Sequence, residues 1–187
     1  MDKIWLDESS WVYQSHLPHT LVYDFENIWN LHPTDYPKIR IFGNVVKVPR
    51  YQQSYIRSYI HENTAFPLPS ILQPFLMWAN TLNYGEFNQG IVNWYVNGTQ
   101  YIGKHSDNEH PLVQNSVILS ISLGAERIFR FRSKLDGVIT DLSMPDRTYL
   151  IMGGDVQKKF THEVVKIFGT NAIQVGRRIN ITLRQFL

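Results

Sequence analysis

The sequence predicts an α+β fold in which short helices come first and a run of antiparallel strands follows, closing a sandwich or barrel. The first observation is a clear helical pattern before residue 90. The second is a set of five short apolar segments after it, separated by glycine and proline: 117–123, 128–132, 148–152, 163–167 and 179–184. The third is the length of 187 residues, which corresponds to one domain.

The elements before residue 90 are predicted from periodicity and turn residues. Apolar residues at helical spacing predict a short amphipathic helix over 21–31. Residues 38–49 predict two short strands around a turn. The segment 50–61 mixes arginine with tyrosine in a predicted loop, which suits either a surface for phosphates and bases or a solvated strand pair. Residues 67–83 give the clearest helix, with Pro74 as a candidate kink.

The composition excludes several kinds of site. The chain has no cysteine, so disulfides, thiolate metal sites and a cysteine nucleophile are excluded, and any metal must use histidine and carboxylate. The formal net charge is only +2, so no polybasic tail indicates a nucleic-acid partner, and only a local basic patch is compatible with one. No apolar run approaches the roughly 18 residues of a membrane span. We therefore expect an intracellular protein without membrane association, and nothing in the sequence requires more than a monomer.

A histidine and a carboxylate two residues apart, His105 and Asp107, form the most informative local motif. In an extended segment their side chains project from one face toward one point. They would supply two of the three ligands in the facial triad that holds non-haem Fe(II). Taken alone, such a pair is more often an ordinary surface histidine and aspartate near a turn, so the metal-site interpretation depends on the rest of the chain. As third ligand, His162 on a later predicted strand is modestly favoured over the local competitor His110.

The last predicted strand has one polar and one apolar face. The polar face carries Arg178, Asn180, Thr182 and Arg184, and the apolar face carries Ile179, Ile181 and Leu183. Upstream, Asn93 and Tyr95 share one side of another alternating segment. If both polar faces line the inside of a barrel, their guanidinium, phenol and amide groups form a pocket for a small dicarboxylate beside a metal. A solvated surface strand is the alternative interpretation.

Several pieces of the sequence occur together in a characteristic order. They are Asn93-x-Tyr95, Ile102-Gly-x-His105-x-Asp107, Ser120-x-Ser-Leu-Gly124, Gly153-Gly-Asp155, His162 and Arg178-x-Asn-x-Thr-x-Arg184. With this full set, the chain resembles the AlkB family of Fe(II)- and 2-oxoglutarate-dependent dioxygenases over roughly residues 38–187.

The resemblance implies an architecture. It implies a double-stranded β-helix, or jelly-roll, core with flanking N-terminal helices and a nucleotide-recognition lid. We expect a single AlkB-like domain over 1–187, with an N-terminal extension at 1–37, the lid at 38–66, and the helix and jelly-roll catalytic core at 67–187.

The resemblance also implies a site and a reaction. It assigns Fe(II) and the catalytic role to His105, Asp107 and His162. It assigns the co-substrate 2-oxoglutarate to Arg178 and Arg184, with polar contacts from Asn93, Tyr95, Asn180 and Thr182. The implied reaction uses O2 to demethylate N-alkylated bases of the 1-methyladenine and 3-methylcytosine type in DNA or RNA. Its products are formaldehyde, succinate and CO2, and the implied role is repair of alkylated DNA or RNA.

Substrate contacts are expected mainly in the lid. Phe42 resembles an apolar wedge that replaces lost base stacking, although a buried hairpin residue is an equally compatible interpretation. Arg50 resembles an arginine that contacts a base or a strand backbone. Base stacking is expected from Tyr51, Tyr55 or Tyr59, and polar contacts from Asn108 and Glu109.

Two other functions remain open at this stage. The same oxygenase chemistry on a protein side chain or small molecule is compatible with the nearly neutral charge, and a non-catalytic binding module would keep only the fold. A positive rim around the site would favour a nucleic acid, and a neutral or apolar rim would favour the alternative substrate. The lid differs most from the family pattern, so base and strand preference are the least determined features.

Overall fold

A computed structural model of the protein describes residues 3–41, 43–57, 65–107 and 112–187, with only the backbone considered at 39–41. Within these ranges the strands are β1 (Ile4–Trp5), β2 (Ser10–His16), β3 (Lys38–Ile41), β4 (Asn44–Lys47), β5 (Tyr51–Tyr55), β6 (Gln89–Tyr95), β7 (Ile102–His105), β8 (Ile118–Gly124), β9 (Arg127–Ser133), β10 (Ile139–Met144), β11 (Thr148–Gly154), β12 (Phe160–Val164) and β13 (Arg178–Arg184). The helices are α1 (Phe25–Trp29), α2 (Gln73–Asn80) and α3 (Val156–Lys159), with 3-10 turns at Ser70–Leu72 and Thr170–Gln174. None of these helices is long and apolar enough to cross a lipid bilayer.

The larger sheet separates α1 and α2 from the interior of the molecule. Its strand order is β1-β2-β11-β8-β13-β6-β5, and every neighbouring pair is antiparallel. The apolar face of β13, formed by Ile179, Ile181 and Leu183, lies in one core with Ile28 of α1 and Phe75 of α2. Because strand side chains alternate between faces, the polar residues of β13 must point to the opposite side, into the interior.

The smaller sheet covers that opposite side. Its strand order is β10-β9-β12-β7, and a separate hairpin is formed by β3 and β4. A second apolar core joins Ile118 and Met152 of the larger sheet to Phe129, Phe131 and Phe160 of the smaller one. Two facing antiparallel sheets with helices outside the larger sheet form a jelly roll, so the predicted fold class is confirmed.

Two strands of the larger sheet, β1 and β2, lie in the predicted N-terminal extension, where the sequence did not predict strands. β2, from the predicted N-terminal extension, pairs with β11 along its whole length. β5 lies in the segment 50–61, for which a loop surface and a solvated strand pair were both compatible with the sequence, and it forms the edge of the sheet against β6. Both segments mix aromatic and polar residues without a clean alternation, so long-range pairing rather than local pattern makes them strands. The extension and the lid therefore contribute strands to the main sheet.

The predicted helices are shorter than their periodicity indicated. α1 covers five residues of the predicted 21–31, and the Asp24 side chain caps it by accepting a hydrogen bond from the Asn27 backbone N–H. A 3-10 turn and then α2 take the place of the predicted helix over 67–83. Pro74 lies in the first turn of α2, where a missing N–H costs nothing, so it begins the helix and does not kink it.

Candidate active site

The predicted metal ligands meet at one point between the sheets. His105 ends β7 and is the direct cross-strand partner of His162 on β12. The ring centroids of the two histidines are 4.3 Å apart. Nε2 of His162 lies 3.6 Å from Oδ2 of Asp107, and Nε2 of His105 lies 4.0 Å from Oδ1. One ligand atom from each of the three residues lies within 4.8 Å of the others, a spacing that suits a single metal ion.

Neighbouring groups fix the orientation of these ligands. His105 Nδ1 lies 2.9 Å from the Gly103 carbonyl oxygen, and a proton on Nδ1 leaves Nε2 with its lone pair directed at the site. The Asp107 backbone N–H donates to Oε1 of Gln157 at 2.8 Å, and Ser106 Oγ donates to the Phe160 carbonyl at 2.8 Å. Gln157 and Ser106 carry no sequence signal, because their partners lie about 50 residues away along the chain.

The electrostatics hold the ligands in their metal-binding protonation states. Burial lowers the pKa of His162 to about 3, with a further contribution from His105, so its imidazole is neutral at neutral pH. For Asp107, burial acts to raise the pKa, but the Arg184 guanidinium and the two histidines outweigh it and leave the pKa lowered. A neutral imidazole beside an ionised carboxylate is the donor set that a divalent cation requires.

The polar face of β13 lines a cavity of about 600 Å³ that also contains the three candidate ligands. Asn180 pairs across the sheet with Asn93, and its Nδ2 donates to Ser120 Oγ at 2.8 Å. Thr182 Oγ1 donates to Asn180 Oδ1 at 3.0 Å. Arg184 donates through Nη2 to Asp107, while its Nε and Nη1 are buried without a hydrogen-bond partner among the described residues. Those two N–H groups are available to an anion beside the metal position.

Arg178 lies one layer deeper than the other polar residues of β13. Its side chain is only 1% exposed, and its guanidinium carbon lies 5.2 Å from the ring centroid of Tyr95, which itself lines the cavity. Nη2 donates to Ser122 Oγ at 2.6 Å, whereas Nε and Nη1 have no partner among the described residues. Arg184 thus lines the cavity, whereas Arg178 does not and instead lies against Tyr95, which does.

A third buried arginine, Arg127, was not predicted from the sequence. Its side chain is 2% exposed, and its guanidinium carbon lies 5.8 Å from the centroid of the Tyr95 ring. Nη2 donates to the carbonyls of Gln100 at 2.9 Å and Val165 at 2.6 Å. Burial and the nearby charge of Arg178 lower the pKa of Arg127 to about 10, so it remains a cation at neutral pH. It ties the connection between β6 and β7 to the end of β12.

The residues expected in the lid occupy different environments. Arg50 lines the cavity but is only 8% exposed, and it donates to Asn93 Oδ1 at 2.7 Å and to Gln52 Oε1 at 2.8 Å. Its guanidinium is therefore directed into the protein and not toward a strand outside. Phe42, Tyr59, Asn108 and Glu109 lie outside the described residues.

Two of the expected stacking residues have no free ring face. The rings of His32 and Tyr36 each lie parallel to the ring of Tyr51 with centroids 4.3 Å away, so both faces of Tyr51 are covered. Tyr55 is 4% exposed and packs in the core beside the helices. In this conformation neither ring can stack on a base, because aromatic neighbours and the core already occupy their surfaces.

The chain was compared with known protein families, and it matches the family described as the 2OG-Fe(II) oxygenase superfamily over residues 29–184. It therefore belongs to that superfamily. The AlkB-type resemblance predicted from the sequence is confirmed by its relatives.

Three curated relatives illustrate this likeness. The chain is 32% identical over 103 residues to the DNA oxidative demethylase ALKBH2 of Homo sapiens, covering 52% of this chain and 40% of that protein. It is 33% identical over 133 residues to the alpha-ketoglutarate-dependent dioxygenase alkB homolog 3 of Bos taurus, covering 65% and 45%. It is 26% identical over 211 residues to the DNA oxidative demethylase ALKBH2 of Arabidopsis thaliana, covering 93% and 65%. The chain thus covers less than two thirds of the length of these relatives.

Among solved structures, that of OsALKBH1 is similar with a TM-score of 0.62 at 15% identity. The match covers 98% of this chain and all of that one. At this identity the likeness establishes the shared fold only.

The residues present fit the metal and co-substrate of the superfamily, Fe(II) and 2-oxoglutarate. The donor set of two imidazoles and one carboxylate matches a facial triad. Among the described residues, Nε and Nη1 of both Arg178 and Arg184 are buried without a hydrogen-bond partner, and Arg184 lines the cavity. Buried donors of this kind are costly unless a bound group accepts from them, and a dicarboxylate supplies that acceptor.

Proposed function

We propose that this protein is an Fe(II)- and 2-oxoglutarate-dependent oxygenase that demethylates N-alkylated bases in DNA or RNA. The expected substrates are of the 1-methyladenine and 3-methylcytosine type, and the products are the free base, formaldehyde, succinate and CO2. The observation that carries the proposal is a positively charged rim above the triad and its arginines. The intracellular location and the monomeric state remain predictions.

The rim is positive because three exposed lysines are among the residues that line the cavity. Lys38 and Lys47 come from the β3–β4 hairpin, and Lys104 comes from β7, and all three are exposed. Among the described residues that line the cavity, the one carboxylate is Asp107, which is buried and bonded to Arg184. A cluster of exposed ammonium groups attracts a polyanion such as a nucleic-acid strand. A neutral small molecule or an uncharged peptide would gain nothing from it.

The side chains of the site have three roles. His105, Asp107 and His162 would hold Fe(II), which supplies the activation of O2 when it is bound. Arg184 would hold the carboxylate of 2-oxoglutarate nearer the metal through Nε and Nη1, while its Nη2 keeps Asp107 ionised and in place. Arg178 would receive the distant carboxylate, with Asn93, Tyr95, Asn180 and Thr182 supplying polar surface around the co-substrate.

The cavity is large enough for both reactants. Its volume of about 600 Å³ lies in the range of small-molecule sites, and the polar side chains of β13 occupy only one wall. Ile102, Phe129 and Val164 contribute apolar surface near the triad, which suits a flat base presented with its methyl group toward the metal. The ALKBH2 relatives are DNA oxidative demethylases by name, which supports the same substrate class.

The test is mass spectrometry of short oligonucleotides, each with one 1-methyladenine or 3-methylcytosine, as single- and double-stranded DNA and RNA. The protein is supplied with Fe(II), 2-oxoglutarate and oxygen. We expect loss of one methyl group that requires 2-oxoglutarate, and we expect Asp107→Ala to abolish it. Asp136→Ala, which removes an exposed carboxylate in the β9–β10 turn, is the matched control and should retain activity.

A second arm tests the rim. Replacing Lys38, Lys47 and Lys104 with glutamine should weaken oligonucleotide binding and flatten its salt dependence, by about 0.7 in log–log slope for each phosphate that a lysine no longer neutralises. Consumption of 2-oxoglutarate without methyl loss from any oligonucleotide would contradict the substrate class. That outcome would instead favour a protein side chain or a small molecule as substrate.

A further inference from the structure

An exposed aromatic ring lies next to the rim of the cavity. The side chain of Phe168 is 77% exposed, and the Nζ atom of Lys166 lies 5.2 Å from its ring centroid. The same Nζ atom lies 5.5 Å from the ring centroid of Tyr101, a residue that lines the cavity. The two ring centroids therefore lie within about 11 Å of each other, the sum of these distances. Tyr101, Lys166 and Phe168 form a short row that leads outward from the site, which we call the rim row.

The exposure of Phe168 does not come from a loose backbone. Just before Phe168 in the chain, the Ile167 backbone N–H donates to the Gly98 carbonyl at 2.9 Å. After Phe168, the Ala172 carbonyl accepts from the Gly98 N–H at 2.8 Å. The Val165 carbonyl, just before Lys166, accepts from the buried Arg127. The rim row is thus attached to the β6–β7 connection at several points.

The backbone after Phe168 also favours its outward position. Gly169 has a φ of +79°, a conformation that residues with a side chain rarely adopt, and this residue turns the chain directly after the ring. The Phe168 ring does not contribute hydrophobic stabilisation to the folded protein, because its apolar surface remains in contact with water. Its surface is therefore available to a partner.

The chemistry of the rim row matches one nucleotide of a single strand. An aromatic ring stacks on any base, because every base has a π face, and an ammonium group pairs with a phosphate. The row begins at a residue that lines the cavity, so a strand whose modified base occupies the cavity would bring its neighbour to this place.

We propose that the rim row is a subsite for the nucleotide adjacent to the modified one, with its base on Phe168 and its phosphate near Lys166. This inference rests on the proposed function. It goes further by predicting that the enzyme distinguishes a strand from an isolated methylated nucleotide.

The experiment compares kcat/KM for the mononucleotide of 1-methyladenine with kcat/KM for a DNA trinucleotide that carries it in the centre. For the wild type, the trinucleotide should be preferred. Phe168→Ala and Phe168→Leu should each reduce kcat/KM for the trinucleotide by about 5- to 10-fold, the low end for base–aromatic stacking, because the ring is open to solvent. Neither should change kcat/KM for the mononucleotide.

Three further variants distinguish loss of base stacking from a nonspecific loss of activity. Phe168→Trp should keep the trinucleotide preference, since the larger ring also stacks. Met77→Ala, which removes an exposed apolar side chain on α2, should leave both substrates unaffected. Lys166→Gln should weaken the salt dependence of kcat/KM for the trinucleotide, because one phosphate contact is lost.

The outcomes are distinguishable. If the wild type demethylates the trinucleotide and Phe168→Ala retains the full preference for it, the subsite is wrong while the proposed function stands. If Phe168→Leu equals the wild type, the contact is apolar and not base stacking, which also overturns the subsite. If the wild type demethylates neither substrate nor any longer oligonucleotide, the proposed function itself fails and the subsite fails with it.

Discussion

Replacement of Arg127 by glutamine should destabilise the fold more than loss of any exposed arginine. The Arg127 side chain makes two short hydrogen bonds, at 2.6 Å to the Val165 carbonyl and 2.9 Å to the Gln100 carbonyl. Two longer contacts of 3.4 Å reach the carbonyls of Asn97 and Gly98. A hydrogen bond to a charged group contributes about 1.5–3 kcal/mol, so the two short bonds together account for about 3–6 kcal/mol.

The net effect must be smaller than that sum. The pKa of Arg127 is lowered to about 10, which shows that its buried surroundings disfavour the cation. The change to glutamine removes the free-energy cost of burying the Arg127 charge, but it leaves backbone carbonyls without their hydrogen-bond donors. We therefore expect the free energy of unfolding to fall by about 2–4 kcal/mol, or about 5–15 °C in Tm for a chain of this size.

The assay is urea unfolding at pH 7 followed by circular dichroism, with Arg130→Gln as the matched control. Arg130 lies on the same strand, β9, and forms an exposed ion pair with Asp141, with both hydrogen bonds at 2.7 Å. An exposed pair contributes at most about 1 kcal/mol. Equal stability of the two variants would refute the reasoning, because it would mean that four carbonyl contacts from a buried cation contribute no more than a solvated ion pair.

Three further predictions concern the site and its frame. Arg184→Lys should weaken 2-oxoglutarate binding, measured by calorimetry, by about 100-fold, because an ammonium cannot replace the planar fork of donors; unchanged affinity would place the co-substrate elsewhere. The free energy of unfolding of the metal-free protein should decrease as the pH falls below about 6.5. The pKa of His162 is about 3 in the folded protein and higher in the unfolded chain, so unfolding takes up a proton between these two values. The free energy of unfolding should fall by at most about 1.4 kcal/mol per pH unit in this window. His162→Gln should flatten this slope of unfolding free energy against pH, and replacing the exposed His19 should not. Gly154→Ala should lower the free energy of unfolding by about 2–3 kcal/mol in urea unfolding, since φ is +65° and a Cβ would lie 1.9 Å from the Ser9 carbonyl oxygen; wild-type stability would show that β2 can move away.

The lid illustrates how packing limits the contacts that a side chain can make. Arginine and tyrosine in a predicted loop suggested a surface for bases, yet Arg50 donates hydrogen bonds inside the protein and Tyr55 packs in the core. Tyr51 lies between the rings of His32 and Tyr36. Residue type indicates what a side chain can contact, but burial and neighbours determine what it does contact. The exposed ring near the site, Phe168, lies in a segment that composition did not single out.

The sequence by itself determined the local geometry of the site. In a strand the side chains alternate, so Arg178, Asn180, Thr182 and Arg184 had to share a face. The apolar residues between them fixed which face is covered by helices. His105 and Asp107 were predicted from the same rule, although Asp107 lies just past the end of β7. These features depend on two or three neighbouring residues, and the resemblance of the ordered motifs connected them to a known class of fold.

The tertiary structure decided which of these local features meet. Three contacts join residues far apart in the chain: the pairing of His105 with His162, the ion pair from Arg184 to Asp107, and the Arg178 guanidinium beside the Tyr95 ring. So do the strands β2 and β5 and the contacts of Arg127. The physical reason is that strand pairing and burial are long-range: the same short segment can be a loop, an edge strand or a buried one, and only its neighbours in space select among them.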